Sequence, residues 1–108
     1  MQPLTADATT ALMRALRGRF DKAWSPMFEE IRSRSWASVT FTGARHEIVM
    51  RVDGHCAAAA ADRFLSDLDA AEFRLRGHIL ADIALIARED IPEGGVRIRI
   101  EALTVEDA

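Results

Sequence analysis

The sequence predicts an α+β fold: a two-layer sandwich in which a four-stranded antiparallel sheet carries two helices on one face, in the order α(α)ββαββ. Three observations predict it. Apolar residues recur with helical period near the N-terminus and again after residue 56. Two later pairs of segments alternate apolar and polar residues with the period of a half-buried strand. The chain of 108 residues, 49% hydrophobic and 29% charged, suits one domain over 1–108 with one core and no disulfide or metal staple.

The first helix is expected from Asp7 to about Trp24, with Leu12, Ala15, Leu16, Phe20, Ala23 and Trp24 on one side and Arg14, Arg17 and Asp21 on the other. Ser25-Pro26 then reads as a cap followed by proline at a first helical position. Met27 to Arg34 is therefore expected as a short second helix, or the first continued past a kink, burying Phe28 and Ile31. From Trp36 the period changes to two. Residues 36–42 and 46–52 read as a hairpin turning at Gly43-Ala44, with Phe41 opposite His46, Val39 opposite Ile48 and Trp36 opposite Arg51. The main helix is expected over 56–75, its buried stripe running from Ala57 through Phe64 and Leu68 to Leu75. Residues 78–88 could extend that helix, but three isoleucines, the preceding Gly77 and the turn-rich 89–95 favour a strand. Val96 to Val105 alternates cleanly and completes a second hairpin, in which Asp82 is expected opposite Arg99.

Composition excludes several classes of function. No run approaches the roughly 20 apolar residues of a membrane helix, and the N-terminus lacks the basic and apolar regions of a signal peptide. A cytoplasmic location follows as an expectation. Thirteen Arg against one Lys, with nineteen Ala, point to a GC-rich, bacterial coding bias. Residues 11–34 carry six basic and three acidic groups, whereas residues 53–108 carry six basic and twelve acidic. The net charge of −3 argues against general nucleic-acid binding.

Chemistry-bearing motifs are sparse. There is no P-loop, GxGxxG, HExxH or CxxC, so nothing calls for a cofactor or a metal. His55-Cys56 at a helix start could pair a base with a thiol, but neighbours there point apart, and Cys56 reads as a structural small residue. His46 and His78 are weak ligand-site candidates, expected at opposite ends of their strands.

The outer sheet face is the informative surface. The expected register places Trp36, Val49, Arg51, Leu80, Ala84, Ile86 and Leu103 there, an apolar patch rimmed by charge, as in an interface. The leading expectation is a small interaction or regulatory domain without catalysis that homodimerises through this face. The alternative is an oligomeric ligand-binding protein or enzyme, with His46, His78 and Arg51 at a subunit boundary holding a small molecule.

Overall fold

The architecture follows from two long hairpins, each built around the most apolar strands of the chain. A computed structural model describes residues 3–20 and 24–107. In chain order the elements are α1 (Pro3–Gly18), β1 (Met27–Ala37), β2 (Thr42–Asp53), α2 (Ala57–Leu65), a 3-10 turn (Leu68–Ala70), β3 (His78–Ile91) and β4 (Gly95–Glu106). The four strands form one antiparallel sheet in the order β1-β2-β4-β3, an α+β arrangement. The central strands β2 and β4 supply Ile48, Met50, Val52, Val96, Ile98, Ile100 and Ala102 to the inner face, all buried. Against them pack Leu12 and Leu16 of α1 and Ala57, Ala60, Ala61 and Phe64 of α2. Helix α1 lies over β1 and β2, α2 over β2 and β4, and the 3-10 turn over β3.

The two helices are joined by aromatic stacking and by one arginine. The Phe20 and Phe64 rings stack at 4.4 Å and 9°. The Arg19 guanidinium donates to the carbonyls of Phe64 (2.6 Å) and Ser66 at the end of α2. A cation there satisfies carbonyls that the helix leaves unpaired and meets the negative end of its dipole.

Several expectations change. Residues 27–34 are strand, not helix. A β-bulge between Phe28 and Glu30 puts Phe28 opposite Met50 and Ile31 opposite Ile48. Both side chains therefore point inward at a spacing of three, which imitates a helical period. The first hairpin turns at Ser38–Phe41 rather than at Gly43. Ser38 Oγ accepts from the Phe41 and Thr40 N–H groups, and the Ser38 N–H donates to the Phe41 carbonyl (2.7 Å). This side-chain-locked turn moves the register, so Val39 and Phe41 are exposed at the tip and Trp36 lies opposite Gly43. Gly43 serves strand pairing instead of a turn. A Cβ there would meet the Thr104 carbonyl oxygen at 2.0 Å, so only glycine lets β2 and β4 close.

The main helix also ends early, at Leu65. Asp67 takes a left-handed conformation (φ 54°) and diverts the chain, although Leu68 and Leu75 remain buried. Helix α1 starts at Pro3 and stops at Gly18, leaving Trp24 in an irregular stretch. Asp21 and Ala23 lie outside the described residues. The second hairpin forms as a hairpin, with β3 running on to Ile91 and turning through 92–94. Two bulges, between Leu80 and Asp82 and between Leu85 and Ala87, shift its pairing, so Asp82 faces Leu103 and not Arg99.

Candidate interaction surface

The outer face is built from the alternate residues of each strand, those whose neighbours fill the core. On β2 these are Arg45, Glu47, Val49 and Arg51; on β4, Arg97, Arg99, Glu101 and Leu103. One end of the face is internally neutralised. Arg97 donates to Glu29 (2.7 Å) and Glu89 (3.0 Å), tying β1, β4 and β3 together. That pairing pulls the Glu29 carboxyl below its usual range and holds the Arg97 guanidinium above its own. Arg51 is bonded to Asp53 at 2.7 Å.

The middle of the face is different. Glu47 stands directly opposite Glu101, and Arg34 directly opposite Arg45. Among the described residues none of these four makes an ion pair, and neither does Arg99. Two like charges directly across a strand pair disfavour the isolated sheet. Between these charges Val49 is only 5% exposed, and Leu103, Ala84 and Trp36 are half-buried. The Trp36 ring lies across Gly43, with its indole N–H lacking a hydrogen-bond partner. Ile86, at the second bulge of β3, is exposed.

Two members of the expected patch behave otherwise. Leu80 pairs with Thr104 on the inner side and packs against the core, because the bulge at 81 resets which residues of β3 face out. Arg51 is opposite Met27, so the Trp36–Arg51 stacking pair does not form.

Sequence reasoning placed His46 beside the turn; the structure puts it wholly inside the sandwich. Thr104 Oγ1 donates to the Ala44 carbonyl (3.4 Å) and so accepts from His46 Nε2–H (2.9 Å). Nδ1 is then the bare nitrogen, accepting from Ser33 Oγ (2.7 Å), and Ser33 in turn accepts from Thr9 (2.7 Å). This chain of hydroxyls ties α1, β1, β2 and β4 together through one neutral imidazole. Burial, with a smaller contribution from the charge on His78, lowers the His46 pKa to about 4. The network joins three hydroxyls that sequence reasoning did not single out, Thr9, Ser33 and Thr104. Their small polar side chains on inward-facing positions are the signal that could have found them.

His78 is only 7% exposed, on the same inner side. Its Nδ1–H donates to the Arg76 carbonyl at 3.0 Å, and Nε2 has no partner. The two histidines are thus brought near enough for one charge to affect the other, contrary to the expectation of opposite ends. They do not converge with Arg51, which is on the outer face. Among the described residues no group of three or more His, Cys, Asp or Glu could hold a metal ion. His55 and Cys56 are both exposed, and Cys56 makes no capping hydrogen bond to α2.

At the same end of the sheet an open cleft of about 490 Å³ runs between the extended segment 71–75 and the start of β3. Phe73, Leu75, Ile79 and Leu80 line it, with Glu72, Arg74 and His78.

No protein-family model and no curated protein matches the chain. Among solved structures it is similar to a chain of the virion of a native gene transfer agent (GTA) particle, at 17% identity and a TM-score of 0.50. The likeness covers 99% of this chain and 95% of that one. At that identity it shows a shared fold, α-ββ-α-ββ over a four-stranded antiparallel sheet.

Proposed function

We propose that this chain is a small, non-catalytic interaction protein, a structural protomer that pairs with a second copy of itself through the outer sheet face. The observation that carries the reading is the charge pattern at the centre of that face. The acidic pair Glu47 and Glu101 lies between Arg45 on one side and Arg99 on the other, and none of them makes an ion pair among the described residues. A surface with adjacent unpaired blocks of both signs is complementary to itself when one copy is rotated onto another. Size supports the same reading. Four strands about 4.8 Å apart, each contributing about ten residues, offer roughly 600 Å² per copy, at the low end of specific interfaces. The solved chain of the same fold belongs to a virion, a multi-subunit particle, which suits a structural and oligomeric role.

Charge reversal in blocks tests the proposal. Glu47→Arg with Glu101→Arg should dissociate the assembly on a sizing column, and adding Arg45→Glu with Arg99→Glu should restore it. All four side chains are exposed, so the fold tolerates each change. Assembly that survives the first pair, or that the second pair does not recover, refutes face-to-face pairing.

A further inference from the structure

We infer that the β1–β2 hairpin tip of one copy docks into the cleft between segment 71–75 and β3 of another. The inference rests on the self-association reading, but it names a second contact, distinct from the outer face. The tip is an apolar knob. Val39 is 106% exposed and Phe41 54%, held in shape by the Ser38 hydrogen bonds rather than by any packing. Val39 buries nothing in the monomer and Phe41 only about half its surface, and side chains on a locked turn lose little freedom on docking. The cleft is the matching hole, with Phe73, Leu75, Ile79 and Leu80 as its apolar wall.

Charge agrees with the fit. Residues 33–45, which carry the tip, contain Arg34 and Arg45 and no acid, while Arg32 just before them is bonded to Glu30. On the cleft side Glu72 lines the opening and Asp67 and Asp69 stand at the turn that leads into it, all exposed and without an ion-pair partner among the described residues, and they outnumber Arg74 and Arg76. Tip and cleft occupy opposite edges of one sheet end, since Trp36, Gly43, Val105 and Ile79 form a single row across it. A contact of that kind joins different surfaces of the two copies. It closes a ring or runs on as a chain, whereas outer-face pairing stops at two.

Site-directed cross-linking tests the docking in the full chain. In a Cys56→Ser background, Thr40→Cys protein is mixed with Glu72→Cys protein under mild oxidation. The control mixture replaces Glu72→Cys by Ala58→Cys, an exposed position on α2 away from the cleft. The expected result is at least ten-fold more mixed dimer for the tip–cleft pair than for the control; equal yields overturn the inference. Val39→Asp provides a second reading, because that side chain is free in the monomer and its replacement cannot unfold it. It should restrict the assembly to dimers. Larger species that persist in Val39→Asp overturn tip docking while leaving face pairing standing. A native chain that is monomeric at every concentration overturns both.

Discussion

The two faces of this sheet solve opposite problems. On the inner face every strand residue from Ala44 to Val52 that points inward is buried, and His46 among them has both ring nitrogens hydrogen-bonded, though His78 at the edge of that side keeps one nitrogen unpaired. At the centre of the outer face Glu47 stands beside Glu101 and Arg34 beside Arg45, although Arg32 lies across Glu47 on β1, and a tryptophan N–H goes unmet. A sheet selected only to stay folded would alternate the outer charges, since opposite charges across strands are favourable and like ones are not. The difference teaches that the inner face answers to the chain's own stability, and the outer face to something the chain meets.

The largest expected effect lies where the faces are closest. Gly43→Ala drives a methyl group into the Thr104 carbonyl and the Trp36 ring. It should cost about 4 kcal/mol or more, a value that marks backbone displacement. Urea unfolding measures it, and a loss under about 1 kcal/mol would mean that β2 and β4 separate easily there.

Cavity formation sharpens the contrast next. Ile100→Ala, wholly inside, should lose about 3 kcal/mol. Leu103→Ala, three residues on and half-buried outside, should lose about 1 kcal/mol in the separated monomer and register mainly as weaker association. Equal losses of folding stability would erase the distinction between the faces.

The inner polar network gives a pH dependence of similar size. Folded His46 titrates near 4 against 6.5 for a free imidazole, so on acidification the unfolded chain binds the proton first. Stability is therefore complete above about pH 6.5 and declines down to about pH 4, by about 3 kcal/mol at most. Unfolding midpoints from pH 7.5 to 4 read this directly. In His46→Gln the baseline should fall, but the slope across that window should flatten; an unchanged slope would assign it to other groups.

The smallest effect has the opposite sign in the two states. Glu101→Arg places a cation opposite Glu47 and should stabilise the monomer by about 0.5 kcal/mol while weakening association. A variant that destabilises the monomer would show that the paired acids are already satisfied.

The parts legible in the sequence were those where one period dominated. The alternation of Val96 to Val105 located β4, and the isoleucines of 78–88 correctly favoured strand over helix. What misled was irregularity: the bulge at Glu29 that makes Phe28 and Ile31 look helical, and the left-handed Asp67 that ends α2 inside a continuing apolar stripe. Register was lost at Ser38, because a serine hydroxyl locking a turn is a weaker local signal than a glycine. The outer face survived these errors only in part. Val49, Ala84 and Leu103 kept their side of the sheet, while one bulged residue turned Leu80 inward. The unpaired acids and arginines were invisible, since pairing across β2 and β4 depends on long-range register.

The central claim is that the outer face meets a second copy. Light scattering on a sizing column, over a concentration series at low and high salt, tests it most directly. The expected result is a dimer or larger species that weakens as salt screens the facing blocks of charge. A monomer at every concentration and at low salt would contradict it.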